Sequence, residues 1–454
     1  MSAAVSVPQL RDAVAGAVIA PDDAAYDDAR TPFYGGIDRR PAAIVRATDA
    51  DDVRRVVTLA RETGAELAVR SGGHSLAGHS VSEGGIVLDL ADMRGLDIDV
   101  DRRTAWAQAG ITAGAYTTAA AEFGLATGFG DTGSVGVGGI TLGGGIGFLV
   151  RKHGLTIDDL LEAEIVTADG ELLHVDEESH PDLFWAIRGG GGNFGVATRF
   201  RFRLHPVDRI LGGMLFLPAT PEAVEGFMAE SASAPDELTT IAAVMKAPPM
   251  PFIPESAHGS LLLMAFVVYA GDPSEGERAV APLRSLGDPL ADLIRPMTYP
   301  EMYMPEEEGY HPTAAAHTGF MDRIGADDAA MIVDRTPMPG ALMRVVQLRP
   351  LGGAAARVPQ DATAFAHRSR GFMVNVASMY DGEDARAESQ AWVDETSDGL
   401  HHGELDGYVN FVGDEGPERV RHAYPGATWD RLREIKARYD PTNLFRLNQN
   451  IPPA

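Results

Sequence analysis

Cysteine is absent from all 454 residues, so disulfides, thiolate nucleophiles and cysteine-ligated metals are excluded. Lysine is almost absent, present only as Lys152, Lys246 and Lys436. Acidic residues outnumber basic ones 65 to 38, giving a formal net charge of -27 and an isoelectric point of about 4.8. Such a chain offers no basic patch for a phosphate backbone, which argues against nucleic-acid binding. Its acidity reads as surface solubility. No uncharged apolar run reaches the 18 residues of a membrane span. Residues 1–28 lack the basic start and apolar block of a signal peptide. A cytoplasmic location without membrane contact is therefore expected. His74 and His79 have the look of a ligand pair, but no third ligand follows nearby, and no metal is expected.

Glycine, by contrast, is abundant at 51 residues, and much of it falls in three clusters. The first is Arg70-Ser71-Gly72-Gly73-His74-Ser75-Leu76-Ala77-Gly78-His79. The second runs from Gly130 through Thr132, Ser134, Val135, Gly138 and Gly139 to Leu142-Gly143-Gly144-Gly145-Ile146-Gly147. The third is Gly189 to Gly192, followed by Asn193-Phe194-Gly195-Val196. Glycine pairs let a backbone approach a partner closely, and successive N–H groups in such turns form nests for anions. A dinucleotide fold of the G-x-G-x-x-G kind is excluded, because neither Gly136-x-Gly138-Gly139 nor Gly143-x-Gly145-x-Gly147 keeps that spacing. Clusters spread over more than 100 residues suit an extended dinucleotide whose diphosphate is held by amides instead of lysines.

Length favours two domains. A helix is expected over Thr48 to Thr63, capped by Thr48 and ended by Gly64. Strands are expected at Leu67 to Val69, Ile86 to Leu90 and Thr104 to Ala109, then a helix from Ala113 to Phe123. Glu162 to Thr167 and Glu171 to Val175 flank an Asp-Gly turn and predict a hairpin. A helix opening at His180-Pro181-Asp182 and a strand from Gly195 to Leu204 follow. Beyond Pro206 glycine loops thin out, and strand-like runs such as Leu261 to Tyr269 and Met343 to Leu348 alternate with helices. This predicts an α+β unit. A last helix is expected from Thr428 to Tyr439, and His401-His402 reads as a solvated turn.

These motifs, in this order, resemble the berberine-bridge-enzyme-like flavoproteins. Arg70 to Ser75 resembles the loop whose histidine bonds to the 8α carbon of FAD. Ser134 to Gly147 is similar to the family's second FAD loop, and Leu183 to Val196 to the segment passing the isoalloxazine ring. Gln347 to Arg368 resembles the substrate domain. Tyr408-Val409-Asn410-Phe411 and Asp440 to Pro453 resemble the C-terminal signature. The resemblance implies an α+β fold. A PCMH-type FAD domain would be built from residues 1–205 and 405–454, with a substrate domain inserted at 206–404, an antiparallel sheet covered by helices.

The resemblance further implies FAD contacts through Arg70, Ser71, Gly72, Gly73, His74, Ser75, Gly78 and His79. It extends them to Gly130, Thr132, Ser134, Val135, Gly138, Gly139, Leu142, Gly143, Gly144, Gly145, Gly147, Gly195 and Val196. His79 is expected to be a hydrogen-bonding loop residue. Thr132 stands at the position of a second, cysteinyl attachment, so a single bond at His74 is implied, as in the bacterial hydroxynicotine-oxidase-like branch. Val135 before the Gly-x-Gly-Gly run implies an open path for O₂. The family's usual bases are missing, with Phe411 in place of a tyrosine and the apolar Met373 and Val374 where a glutamate is expected. Tyr408, Tyr380, Tyr310 and His367 are left as base candidates, with Tyr408 and Asn410 facing the flavin edge. The implied activity is an FAD-dependent oxidase taking a hydride from a C–H next to nitrogen or oxygen of a small molecule, with O₂ giving hydrogen peroxide. Two alternatives stay open: a dehydrogenase or oxidative cyclase with another acceptor, and a non-enzymatic flavin-binding protein.

Overall fold

The computed structural model describes residues 6–305, 309–337, 339–401 and 406–454. The first sheet has the strand order Ala17–Ile19, Ala43–Arg46, Ile86–Asp89 and Leu67–Arg70, the last three parallel. Its crossover helix, Ala50–Thr63, buries Val53, Val56, Val57 and Ala60 as one stripe. The cap is Asp49, whose side chain accepts from the Asp52 N–H at 2.9 Å, and not the expected Thr48. Thr48 instead donates its hydroxyl to the Asp52 carboxylate at 2.9 Å. Gly64 closes the helix at φ 67°, a left-handed conformation that suits glycine.

The second sheet is antiparallel, ordered Leu96–Asp99, Thr104–Gln108, Val196–Arg203, Leu160–Val166 and Leu172–Val175. The last two form the expected hairpin, with Val166 opposite Leu172. Both sheets share one core, which includes Leu88, Tyr116, Phe129, Phe200 and Phe202.

The largest sheet is antiparallel and begins at Ile210. Its strands run in the order Ala291–Asp292, Ile210–Pro218, Leu261–Tyr269, Leu238–Lys246, Met343–Pro350, Phe372–Met379 and Ala314–Met321. One face, carrying Leu215, Val244, Leu263, Val346 and Val374, packs against the helices Pro221–Ser233, Pro273–Arg284, Ala326–Arg335 and Glu383–His401. Side chains alternate across a strand, so Gln347, Arg349, Met373 and Asn375 lie on the opposite face. That face meets the glycine loops: Met373, Phe320 and Phe365 pack with Ile146, Ile157 and Tyr408. His401 corrects an expectation. It is buried, not solvated, and its ring lies where a Cβ on Gly319 would fall 2.6 Å away. Burial pushes its pKa down to about 4. His402 lies outside the described residues.

Candidate functional site

The strand Leu67–Arg70 delivers the chain directly into the His74 loop. His74 is fixed on two sides: its Nε2 meets the Ser134 hydroxyl at 2.8 Å, and Phe33 stacks on the ring at 4.1 Å between centroids. The first two glycine clusters touch backbone to backbone. A Cβ on Gly72 would fall 2.2 Å from the Gly136 nitrogen, which leaves no room for a side chain. The third cluster joins them through the Gly189 N–H, which donates to the Leu142 carbonyl at 3.0 Å. Several glycines thus serve protein-to-protein contact: Gly145 sits against Thr156, Gly147 against the Phe129 carbonyl, and Gly195 against Ile165. Gly139 differs, being exposed within a buried stretch, with nothing within 4 Å of its virtual Cβ.

Other residues of the expected cofactor set have structural tasks. Arg70 is buried and spends its guanidinium on Asp89, at 2.8 Å, and on the Ala29 carbonyl. Ser71 donates to the Ala109 carbonyl at 2.6 Å. Ser75 accepts from the His79 N–H, and the Gly78 carbonyl accepts from Arg39. Val196 is a buried sheet residue opposite Val166. His79 is bonded through its backbone N–H, and neither ring nitrogen has a partner among the described residues. Burial, with the nearby Arg39 charge adding, pushes its pKa down to about 4.

The flavin fits what these loops leave open. His79, Ser80, Thr141, Asn448 and Asn450 all carry buried side-chain polar atoms without partners among the described residues. Orphans of this kind are costly unless a ligand fills them. They flank the glycine clusters from both ends of the chain. Asn193, in the third cluster, accepts from the Ile451 N–H at 2.9 Å and donates to the Gln449 carbonyl at 3.0 Å. Gln449 in turn donates to the Val412 carbonyl at 2.7 Å.

Tyr408 stands where the loops meet the large sheet. Its oxygen accepts from the Gly145 N–H at 2.7 Å and from Asn410 Nδ2 at 2.9 Å, and no acceptor for its own proton appears among the described residues. Burial raises the phenol above its ordinary value, while these N–H donors and the Arg349 charge oppose the rise. Asn410 also donates to the Ile140 carbonyl at 3.1 Å. Its Oδ1 lies where a Cβ on Gly143 would come within 2.1 Å. Phe411 packs tilted on Tyr408 at 5.6 Å.

The remaining base candidates lie elsewhere. Tyr380 packs in the core on the helix side of the large sheet, so the fold does not bring it to the cleft. His367 is buried, bonded to the Ala423 carbonyl at 3.0 Å and stacked on Phe320. Tyr310 is 46% exposed at the rim, its ring 6.4 Å from Phe33.

Sequence reasoning missed four polar residues on the cleft side. Arg349 Nη2 donates to Asp131 Oδ2 at 2.6 Å and to Gln347 Oε1 at 2.8 Å, and its guanidinium lies 5.1 Å from the Phe411 ring centroid. Asn375 is the register partner of Gln347. Period-two alternation was the available signal: Met373 and Asn375 share a face, as do Gln347 and Arg349. The polar face begins two residues past the apolar Met373.

Two sequence families match this chain: FAD binding domain over residues 41–176, and berberine and berberine like over residues 407–452. The chain belongs to the berberine-bridge-enzyme-like FAD-linked oxidoreductases. It is 32% identical to the uncharacterized FAD-linked oxidoreductase YvdP of Bacillus subtilis strain 168, covering 97% of this chain and 98% of that protein. It is 30% identical to (R)-6-hydroxynicotine oxidase of Paenarthrobacter nicotinovorans, covering 97% of each. Among solved structures, 6-hydroxy-D-nicotine oxidase from Arthrobacter nicotinovorans superposes with a TM-score of 0.86 at 28% identity, over 97% of this chain and 98% of that one.

Proposed function

We propose that this enzyme is an oxidase of small molecules. It would remove a hydride from a carbon bearing nitrogen or oxygen and pass the electrons to O₂ as hydrogen peroxide. FAD, when bound, supplies the hydride acceptor. The observation that carries the reading is Tyr408. Its phenol is buried between the glycine loops and the sheet, its oxygen is occupied by two N–H donors, and its proton has no protein acceptor among the described residues. A hydroxyl held this way can keep or move a proton at the cleft, where a general acid or base must reach the reacting group. Met373, Phe320 and Phe365 keep water from its flank. A relative named as an oxidase over nearly the full length supports O₂ as acceptor, as does the modest bulk of Val135.

In this reading His74 is the single covalent tether to the flavin. Ser134 and Phe33 hold the imidazole at one orientation, and Thr132 cannot form a second bond. Mass spectrometry of the digested protein tests the tether: the peptide carrying His74 is expected to hold a flavin adduct, and an unmodified peptide from yellow protein overturns it. Peroxide formation during turnover tests the oxidase. Flavin reduction by an amine or alcohol without peroxide in air would assign another acceptor.

A further inference from the structure

Asp131 lies on the turn between Gly130 and Thr132, three residues before the serine that meets His74. The Arg349 that holds it is itself fixed: Gln347 Oε1 accepts from its Nε at 3.0 Å and from its Nη2 at 2.8 Å, and Phe411 lies against the guanidinium. The field of the carboxylate reaches Tyr34 and Tyr303, whose phenols burial pushes up to about 12 with the Asp131 charge adding. Arginine–carboxylate pairs are frequently bidentate. Here only Oδ2 is used. Oδ1 has no partner among the described residues, and it is not one of the unpartnered atoms sealed from solvent. The side chain keeps 19% of its exposure. Oδ2 is therefore held by Arg349, and Oδ1 is left to accept from a further donor.

We propose that Asp131 Oδ1 is the substrate's polar anchor, accepting a hydrogen bond from the O–H or N–H borne by the carbon that is oxidised. This rests on the oxidoreductase reading of the same cleft and adds the handle that a substrate must carry. Arg349 acts through Asp131 and is a positioning residue. A ligand offering only acceptors, such as a carboxylate, meets a like charge at this point.

Binding tests the anchor without turnover. Flavin-loaded wild type and Asp131→Asn are mixed anaerobically with benzyl alcohol, benzylamine or benzoate, and each half-saturating concentration is read from the flavin absorption band, by its perturbation or by the saturation of its bleaching rate. Exchanging a charged acceptor for a neutral one is expected to weaken the alcohol and the amine roughly 10- to 100-fold. Benzoate binding is expected to stay the same or tighten. Arg349→Lys, which keeps the charge and loses the fork, should weaken the alcohol and amine several-fold and leave benzoate unmoved. Equal weakening of all three ligands in Asp131→Asn overturns the anchor, as does undiminished alcohol and amine binding, or no binding of either to wild type. Absence of peroxide leaves the anchor standing and removes only the oxidase reading.

Discussion

Replacing Lys436 by methionine should unfasten the flavin-binding side of the molecule. Lys436 and Asp440 have no exposed side-chain surface. The ammonium donates to Asp440 Oδ2 at 2.6 Å, to the Asn193 carbonyl at 2.7 Å and to the Phe445 carbonyl at 3.0 Å. Burial pulls the lysine pKa down, and Asp440 opposes that shift. Methionine fills a similar volume but strands a buried carboxylate, leaving it only the N–H groups of Leu444 and Phe445. Breaking one side of a buried pair costs about 3–5 kcal/mol. At about 2–4 °C per kcal/mol for a domain of this kind, the melting temperature should fall by roughly 6–20 °C. Intrinsic fluorescence reports it, since Trp185 and Trp429 pack around the same helix, Ala427–Tyr439. Adding Asp440→Asn removes the stranded charge and should recover roughly half of the loss. A single variant melting within about 2 °C of wild type would falsify this account of the pair. A double variant no better than the single one would refute it as well.

Three further outcomes follow from the geometry. Tyr408→Phe strands the Gly145 N–H and frees Asn410, and flavin reduction by an active amine or alcohol should slow by about 10²- to 10⁴-fold in stopped flow; an unchanged rate removes Tyr408 from the chemistry. Gly143→Ala drives a Cβ to within 2.1 Å of Asn410 Oδ1, and at about 1–3 kcal/mol of overpacking the purified protein should carry less flavin per chain; a wild-type ratio of flavin to protein absorbance contradicts this. His79, His153 and His401 have pKa values pushed down by burial to about 4, 3 and 4, so between pH 6.5 and 4 the unfolded chain binds protons that the folded chain refuses. Stability should therefore fall as pH drops through that window, by up to about 1.4 kcal/mol per pH unit for each histidine, and His401→Gln should flatten the decline in melting temperature. An unaltered slope in that variant rules the histidine out.

The glycine loops were legible because glycine and histidine in fixed order leave a local mark. The covering face of the large sheet was not. A strand such as Phe372–Met379 reads as largely apolar, because one face packs on helices and the other is mostly methionine and alanine. On that second face a single polar position, Asn375, signals the cleft, and only register with Gln347 on the neighbouring strand gives it meaning. Tyr380 misled for the same reason: its place in the chain is right and its parity is wrong. Arg70 marks a different limit: the loop motif includes it, but nothing local shows that its guanidinium is spent on Asp89, 19 residues away. Asp131 stood in plain view beside Thr132, and nothing local announces that Arg349, 218 residues on, holds it.

The clasp between Asn193 and Ile451 sets a timetable. The bond joins residues 258 apart, and Lys436 reaches the same Asn193 from 243 positions away. A ribosome that has made both early sheets has still not supplied the pieces that lock the third glycine loop. Closing contacts this remote is slow and comes late. The third glycine loop is thus locked only after Lys436 and Ile451 have been made, long after both early sheets.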